Sequence, residues 1–394
     1  MNEYKIVKIT DLGTVNRGKS KHRPRNDPIL YGGEYPFIQT GDVKKANLHL
    51  VDYTQTYNDV GLKQSKLWKK GTLCFTIAAN IADSAILGMD ACFPDSIVGF
   101  LPYENVSDTT YVKYLFDELK LYFQQISKGT TQDNLSLDKI CRVKLRVPDY
   151  DTQVKVASIL ATYDTAIENN NKRIRLLEQM AESLYKEWFV RFRFPGYEDV
   201  EFEEKKPRGW QVATEDKKHY VPTIFKYDEF INIGTFVRGK NITAAQMVEG
   251  KVPVISAGVQ PSGYHNEANV HGSNLTISAS GANAGYLNFN LNDIWAADCS
   301  YYQDDATIWF VYNTLKYLQP VISNLQCGAA QPHVYPKNIN RLCVLIPTEE
   351  LIHRYNDFVN PYYDEIKILN QHNQLLTKQR DMLLPRLMSG KLEV

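Results

Sequence analysis

Residues 167–188, IENNNKRIRLLEQMAESLYKEW, and residues 366–387, IKILNQHNQLLTKQRDMLLPRL, share one pattern 199 positions apart. In both stretches one set of positions recurs at alternating steps of three and four residues, which is typical of a helix that buries a narrow stripe. The stripe contains Ile167, Asn170, Ile174, Leu177, Ala181, Leu184 and Trp188 in the first copy, and Ile366, Leu369, Asn373, Leu376, Arg380, Leu383 and Leu387 in the second. An ordinary core-facing helix would show a similar stripe, so that alternative is open.

Two features favour a coiled coil. The stripe lasts about three heptads in each copy, and it contains Asn170 in one copy and Asn373 in the other, where a polar residue fixes register at a cost in stability. We therefore predict that the two helices pair antiparallel, with Leu177 opposite Leu376. Each stretch is roughly 33 Å long at about 1.5 Å per residue, close to one turn of B-DNA. Pro361 should break the second helical region early.

The duplication also includes the segments before the helices. Lys128–Gln132, KGTTQ, has its counterpart in Cys327–Gln331, CGAAQ, at the same offset. Short β-type runs separated by glycine-containing turns precede both. We predict an α+β protein with two similar mixed α/β units and two long pairing helices. The predicted domains are residues 1–150 (first unit), 151–194 (central helical spacer), 195–348 (linker and second unit) and 349–394 (C-terminal helical spacer).

Composition sets further limits. The 394 residues suffice for two domains, and 45 basic residues balance 45 acidic ones, so net charge gives no sign of a polyanion partner. The six cysteines form no CxxC pair, which argues against a disulfide framework and a zinc cage. Neither a signal peptide nor a run of about 18 apolar residues is found, so a soluble cytoplasmic protein is expected.

No catalytic signature is convincing. Asn360-Pro-Tyr-Tyr363 resembles the Asn-Pro-Pro-Tyr loop of amino-methyltransferases but lacks the second proline. The small residues of 278–285 follow neither phosphate-loop nor dinucleotide spacing. The histidines show no metal-ligand spacing. We expect neither catalytic residues nor a metal site.

A polar, basic set of loop residues remains, and it is compatible with contacts to DNA. The basic segment, residues 17–25, carries five cations and should be a mobile loop able to approach phosphates, although a merely solvated loop would look alike. Gln132 and Gln331 could each read an adenine edge, or tie down their own loop. The candidate DNA-binding residues are Arg17, Lys19, Lys21, Arg23, Arg25, Gln39, Thr40, Lys44, Lys128, Thr130, Thr131, Gln132, Asn134, Arg238, Lys240, Asn241, Ser256, Gln331 and His333.

Almost the whole chain resembles the specificity subunits of type I restriction-modification systems. The motifs are YPFIQTGDV at 35–43, the Gly-x-x-Gln elements at Gly129 and Gly328, LLEQMAESLYKEWF at 176–189, PRGW at 207–210 and LLPRLMSGK at 383–391. The second unit departs from the pattern, because residues 256–259 read SAGV where residues 39–42 read QTGD.

The resemblance implies two target-recognition domains that each read half of a bipartite, asymmetric site on double-stranded DNA, held apart by the paired helices. It also implies two methyltransferase (modification) subunits, restriction/translocase subunits as further partners, and no membrane. S-adenosylmethionine, ATP and magnesium are expected only in those partners, and this chain should need no cofactor.

Two other classes of function are kept open. One is a self-sufficient DNA methyltransferase or nuclease, which would show activity without partners. The other is an assembly scaffold built on the coiled coil, which would bind no DNA even with its partners present. The duplication and the basic loops favour the recognition subunit over both.

Overall fold

A computed structural model describes residues 4–128, 135–205, 219–326 and 332–394. The chain forms two compact units. Unit 1 consists of Met1–Lys172 with Asn370–Val394, and unit 2 of Arg173–Leu369. Each long helix therefore contributes to both units.

Unit 1 is built on two mixed sheets. Its strands are β1 (Lys5–Val7), β2 (Gly13–Arg17), β3 (Tyr31–Phe37), β4 (His49–Leu50), β5 (Gln55–Tyr57), β6 (Leu67–Trp68), β7 (Leu73–Thr76), β8 (Ser84–Leu87), β9 (Ala91–Cys92), β10 (Ile97–Pro102) and β11 (Leu145–Val147). One sheet has the order β2-β10-β7-β8-β4 and the other β5-β3-β9-β6, while β1 pairs with β11. β7 and β8 are buried along their whole length, so their sheet lies at the centre of the unit.

Helices pack against both sheets of unit 1. They are α1 (Ile9–Leu12), α2 (Thr40–Lys45), α3 (Asp59–Gln64), α4 (Thr109–Glu118), α5 (Lys120–Ser127) and α6 (Leu137–Arg142). Asp108 caps α4 by accepting a hydrogen bond from the Tyr111 amide at 2.8 Å. The ring of Phe116 on α4 packs against Phe75 of β7 with centroids 4.7 Å apart, which joins helix and sheet in one core.

Unit 2 repeats this plan. Its strands are β12 (Phe202–Lys205), β13 (His219–Pro222), β14 (Lys226–Glu229), β15 (Val237–Arg238), β16 (Val252–Ile255), β17 (Gly263–His265), β18 (Asn274–Ser278), β19 (Leu287–Asn290), β20 (Trp295–Ala296), β21 (Cys299–Tyr302) and β22 (Cys343–Ile346). The sheets have the orders β15-β21-β18-β19 and β17-β16-β20, with separate pairs β12-β13 and β14-β22. As in unit 1, the smaller sheet contains one parallel pairing, β16 with β20 here and β3 with β9 there. The larger sheet is antiparallel in unit 2, whereas in unit 1 it also contains the parallel pair β4 and β8.

Two long helices accompany the sheets. The first is α7 (Tyr150–Tyr185), which continues into a π-helical turn at Lys186–Val190. The shorter helices α8 (Ile308–Tyr317), α9 (Gln319–Ser323) and α10 (Pro336–Asn340) follow in unit 2, and the last helix is α11 (Glu349–Met388). No helix within the described ranges is both long and apolar enough to cross a membrane.

The predicted break at Pro361 was wrong, because α11 runs through it without interruption. A proline inside a helix costs about 3 kcal/mol. The side chains around it are buried in the core of unit 2, and each fully buried large apolar side chain contributes about 1.5–3 kcal/mol. These side chains are Tyr355, Val359, Tyr363 and Ile366. Tertiary packing therefore outweighs the local penalty.

The predicted antiparallel pairing of the helices is confirmed. In unit 1, Asn170 Nδ2 donates to Asn373 Oδ1 at 2.9 Å, and Asn373 Nδ2 donates to Asn171 Oδ1 at 2.9 Å. The Arg380 guanidinium pairs with Asp164, so residue numbers rise along one helix as they fall along the other. The stripe asparagines thus bond to each other, as expected of polar residues that fix register.

The same direction holds in unit 2, but the predicted register was wrong. Arg173 contacts Glu365 at 2.5 Å, and the Tyr355 hydroxyl donates to the Ala181 carbonyl at 2.9 Å. Leu177 therefore lies opposite the part of α11 between these partners, and not opposite Leu376. The offset of 199 relates equivalent positions of the repeat, whereas the register follows from which side chains fit each other.

The stripe has fourteen positions in the two helices, and the side chains at all of them, Arg380 included, are buried or half-buried. Leu176 and Leu375, each one position off the stripe, are both 58% exposed. The stripe therefore distinguishes correctly between the packed and the open faces of these helices.

Candidate DNA interface

The basic segment of unit 1 begins where β2 ends. The Gly18 amide donates to the Ile97 carbonyl at 2.8 Å, and the Lys19 amide donates to the Phe93 carbonyl at 3.0 Å. A Cβ at Gly18 would collide with the Pro94 carbonyl oxygen, so only glycine fits at this place. The backbone thus holds the cations on either side of Gly18 next to the loop that follows β9.

Unit 2 repeats this arrangement with different side chains. The Gly239 amide donates to the Cys299 carbonyl and the Lys240 amide to the Ala296 carbonyl, both at 2.9 Å. A Cβ at Gly239 would lie 2.5 Å from the Ala297 carbonyl oxygen. The Arg-Gly-Lys sequence at 17–19 and at 238–240 is therefore a structural repeat as well as a sequence repeat.

The candidate residues Gln39 and Ser256 lie next to the same loop as the Arg-Gly-Lys segment of their unit. In unit 1 the Ile38 amide, next to Gln39, donates to the Cys92 carbonyl at 2.8 Å. In unit 2 the Ala297 amide donates to the Ile255 carbonyl, next to Ser256, at 2.8 Å. We call residues 17–19, 39–40 and 93–95 the first loop cluster, and residues 238–240, 256 and 296–298 the second loop cluster.

The QTGD stretch forms the start of α2. The Gln39 amide donates to Asp42 Oδ2 at 2.8 Å, while Gln39 Nε2 donates to Gln55 Oε1 at 2.5 Å. Thr40 is half-buried and Lys44 is exposed. In unit 2, where Val259 replaces the aspartate, no helix begins at this place. The half-buried Ser256 has its hydroxyl 3.1 Å from that of Ser262 instead.

The basic segment is held by hydrogen bonds that the sequence did not reveal. Gln64 Oε1 accepts from the amides of Lys21 and His22 at 2.6 and 3.0 Å. Asp27 accepts from His22 at 2.8 Å, and hydrogen bonds from the Ile29 amide and from His22 hold the pKa of Asp27 below its ordinary value. As expected, the segment has no helix or strand beyond Arg17. The loop is nevertheless fixed in place by hydrogen bonds to Gln64 and Asp27.

These contacts divide the five cations into two groups. Arg23 Nη1 donates to the carbonyls of Ser20 and His22, both at 2.8 Å, and Arg25 pairs with Asp95 at 2.7 Å. The other three cations, Arg17, Lys19 and Lys21, are exposed, and their side chains make no hydrogen bond or ion pair with any residue that the structure describes. These three side chains are therefore free to make contacts outside the chain.

The cations of unit 2 follow a related pattern. Arg238 pairs with Asp298, whose second carboxylate oxygen accepts from the Ser280 hydroxyl. Lys240 and Asn241 are exposed. Asp95 and Asp298 are candidate interface residues that sequence reasoning missed, because each is distant in sequence from the arginine that it contacts.

The residues that follow the two Gly-x-x-Gln elements are held by equivalent hydrogen bonds. The Leu135 amide donates to the Ile77 carbonyl at 2.9 Å, and the Val334 amide donates to the Ala279 carbonyl at 3.0 Å. Leu135 and Val334 are again 199 positions apart. The half-buried His333, one residue before Val334, stacks on Tyr335 with centroids 5.9 Å apart.

Several candidates cannot be located. Thr130, Thr131, Gln132, Asn134 and Gln331 lie outside the described residues, as do both glycines of the Gly-x-x-Gln elements. Lys128, the last described residue before the first element, is exposed. That the two glutamines read base edges stays a prediction.

A buried ionic network connects the recognition part of unit 1 to the paired helices. Asp164, fully buried on α7, accepts from Asn47 Nδ2 at 2.9 Å and from the hydroxyl of Tyr114, and it pairs with Arg380. Burial lowers the pKa of Arg380, but the Asp164 charge outweighs this and the pKa is raised. The stripe position Arg380 is thus an ionic partner across the helix pair.

A neighbouring carboxylate of α7 holds the loop after α2. Glu168 Oε1 accepts from the amides of Leu48 and His49 at 3.1 and 2.7 Å. Burial raises the pKa of Glu168, but hydrogen bonds from the His49 ring and amide outweigh burial, so the pKa lies below its ordinary value. The charged carboxylate therefore fixes the sheet of unit 1 to the helix.

Within the described ranges, no group of three or more His, Cys, Asp or Glu residues could hold a metal ion. Asn360, in the stretch that resembles a methyltransferase loop, accepts from Trp309 Nε1 at 2.7 Å, and Trp309 stacks on Tyr363 with centroids 3.5 Å apart. These residues are accounted for by packing in the core of unit 2.

Known proteins share this organisation. The sequence model of the type I restriction modification DNA specificity domain matches residues 1–179 and 223–378. The MjaIX specificity subunit of Methanocaldococcus jannaschii is 26% identical over 100% of this chain and 94% of its own length. The HindI specificity subunit of Haemophilus influenzae is 22% identical over 97% of this chain and 98% of its own length.

A solved structure has a similar fold. The S subunit of a type I restriction-modification system from M. genitalium superposes with a TM-score of 0.58, over 98% of this chain and 96% of that chain, at 16% sequence identity. At this identity the likeness concerns the fold alone.

Proposed function

The chain belongs to the type I restriction-modification DNA specificity family, and from that premise we infer that it is the DNA-recognition subunit of such a system. The observation that carries the proposal in this molecule is the repeated Arg-Gly-Lys arrangement. In both units the same backbone hydrogen bonds hold Lys19 or Lys240 against the loop that follows a parallel strand. Cations held in this way can contact phosphates and position the protein on a duplex.

We propose that each unit reads one half of a bipartite site. The two loop clusters share the backbone hydrogen bonds of their Arg-Gly-Lys segments but differ in their side chains, with Gln39 and Thr40 in the first and Ser256 in the second. Base edges are distinguished by side chains, whereas phosphates carry no sequence information. Two halves with different base sequences are therefore expected, and the whole site should be asymmetric.

The family works together with DNA, modification subunits and restriction subunits. For this chain we propose two modification subunits, docked on the outer faces of the long helices. Leu176 and Leu375 are equivalent positions of the repeat and are equally exposed, at 58%. Met180 is 50% exposed one turn after Leu176, and Met382 is 62% exposed two turns after Leu375. Two similar apolar faces suit two copies of one partner.

Catalysis belongs to those partners in this proposal. Proteins of this family are generally non-catalytic, and we propose that this chain needs no cofactor of its own. S-adenosylmethionine for adenine methylation would be held by the modification subunits, and ATP and magnesium by the restriction/translocase subunits. The proposal also places the chain in the cytoplasm, where its DNA target lies.

The test is methylome sequencing of host DNA with and without the gene for this chain, with the modification gene left intact. We expect one bipartite methylated motif to disappear when the gene is removed and to return on complementation. An unchanged set of methylated motifs would refute the proposed function. Methylation of DNA by the purified chain alone would favour the self-sufficient enzyme.

Docking is tested with Leu176→Glu and Leu375→Glu in the assembled complex. Each substitution places a charge in one apolar face, so we expect native mass spectrometry to show the loss of one modification subunit from each variant and of two from the double variant. Leu176→Met and Leu375→Met keep the apolar surface without adding a charge, so each should retain both subunits. Full assembly of the double variant would exclude these faces.

A further inference from the structure

In each unit one arginine near the loop cluster is paired with an aspartate of the loop that follows the parallel strand. Arg25 Nη2 donates to Asp95 Oδ1 at 2.7 Å and to Oδ2 at 3.0 Å. Arg238 Nη2 donates to Asp298 Oδ1. The two arginines come from different places, since Arg238 is equivalent to Arg17. An arginine–aspartate pair therefore occurs in both units, although the two arginines are not at equivalent positions of the repeat.

The two aspartates occupy nearly equivalent positions. The Ile77 amide donates to the Ser96 carbonyl at 2.9 Å, and the Ala279 amide donates to the Asp298 carbonyl at 3.3 Å. Asp298 is thus the counterpart of Ser96, and Asp95 is the residue just before it. Both units therefore have a carboxylate in the loop that follows the parallel strand.

Each pair leaves most of the guanidinium open. A guanidinium has five N–H donors, and only Nη2 is engaged in either pair. Nη1 and Nε of Arg25 and Arg238 have no partner among the residues the structure describes. The side chains are 49% and 40% exposed, so these donors are accessible.

The carboxylate changes what such an arginine recognises best. It cancels much of the positive charge and would repel a phosphate oxygen, so attraction to the DNA backbone is weakened. It also holds the planar fork in one orientation, which favours two parallel hydrogen bonds to a base edge. The O6 and N7 acceptors of guanine in the major groove are the preferred target of an arginine fork.

We propose that Arg25 and Arg238 each read a guanine, one in each half of the target site, and that Asp95 and Asp298 are positioning residues for them. The inference rests on the proposed function, because it assigns base contacts to the same interface. The Ser280 hydroxyl, which donates to Asp298 Oδ2, fixes the carboxylate of the second pair. Arg17, Lys19 and Lys21, which lack a carboxylate partner in the described structure, contact phosphates in this scheme.

The test uses the full chain assembled with its modification subunits and a duplex that contains the methylated motif. Each guanine of the motif is replaced in turn by 7-deazaguanine, which lacks the N7 acceptor. For the unchanged complex we expect one replacement in each half to weaken binding by about tenfold. If the complex does not bind the unsubstituted duplex, the proposed function fails, and this outcome is distinct from a failure of the inference.

Variants then assign the guanines. Arg25→Lys keeps the charge but loses the fork, so it should bind the normal motif about tenfold more weakly and become insensitive to 7-deazaguanine in one half only. Arg238→Lys should do the same in the other half. Asp95→Asn and Asp298→Asn should each reduce the sensitivity in the corresponding half and raise affinity for unrelated DNA.

The matched control is Asp90→Asn, which breaks an exposed ion pair with Lys69 in the same unit. It should leave both sensitivities unchanged. The inference is overturned if no guanine is sensitive to replacement, if the lysine variants keep their sensitivity, or if one variant alters both halves equally.

Discussion

Asp164 is a fully buried carboxylate whose ion pair with Arg380 should stabilise the protein. Replacing it with asparagine would leave the Arg380 guanidinium, 17% exposed, without its buried partner. Breaking a buried ion pair from one side costs about 3–5 kcal/mol. We expect Asp164→Asn to lower the free energy of unfolding by that amount in urea denaturation.

The same arginine provides the control. Asp381 pairs with Arg380 at 2.8 Å, but its side chain is 56% exposed. Because exposed ion pairs contribute about 0–1 kcal/mol, Asp381→Asn should change the unfolding transition little. Equal effects of the two substitutions would contradict a buried network at this place.

The three open cations of the basic segment should govern the salt dependence of binding. Every phosphate that the protein no longer neutralises reduces the slope of log Kobs against log[salt] by about 0.9. Replacing Arg17, Lys19 and Lys21 with glutamine should therefore weaken binding to all sequences and flatten the slope by up to about 2.7. Binding is measured by titration from low to moderate salt.

Arg23 offers a comparison within the same segment. Its guanidinium donates to the carbonyls of Ser20 and His22 and so shapes the loop. Arg23→Gln should leave the slope nearly unchanged while weakening binding through the loop. A slope that falls as much for Arg23→Gln as for the open cations would show that the hydrogen bonds of the free protein do not predict which cations meet DNA.

At the scale of the element, the asparagines in the helix pair should determine register at the expense of stability. The amides of Asn170, Asn171 and Asn373 satisfy one another, whereas leucines at the stripe positions would pack without specifying register. We expect the Asn170→Leu, Asn373→Leu double variant to have a higher Tm by calorimetry and to self-associate in sedimentation analysis. The single variant Asn373→Leu should instead lower the Tm, because it leaves the half-buried Asn170 amide without its partner.

Pro361 shows why the sequence predicts the ends of a helix less well than its buried face. A proline inside a helix carries a local penalty, but the groups that compensate for it here belong to the core of unit 2, and some of them lie far away in sequence. Asn360, for instance, accepts from Trp309, which belongs to α8. Spacing in the sequence reports which face of a helix is apolar, but not how much burial that face obtains.

At the scale of the whole molecule, the length of the helix pair should set the gap between the half-sites. One heptad inserted after Lys172 and another after Leu369 would keep the stripe in phase and lengthen both helices by about 10 Å. We expect the methylated motif to keep both halves while the gap grows by about three base pairs, as read by methylome sequencing. Insertion in one helix only would destroy the register and should abolish methylation. A lengthened pair with an unchanged gap would reject the spacing role.

Periodicity and repeated short motifs were sufficient to predict the fold class, the buried face of each long helix and the duplicated units, because these are local properties of the chain. The repeated Arg-Gly-Lys motif, at 17–19 and 238–240, likewise forms equivalent backbone hydrogen bonds in the two units. Each glycine lies where a Cβ would collide with a neighbouring carbonyl, so the short motif already requires the close approach.

The register of the helices, the continuity of α11 and the division of the cations into paired and open ones were visible only in the folded chain. Asp95 contacts Arg25 across 70 positions, and Asp164 contacts Arg380 across 216. An ion pair depends on which side chains the packed backbone brings within about 3 Å, and spacing along the chain carries no information about that. The side chains that meet at the candidate interface are therefore a property of the folded molecule.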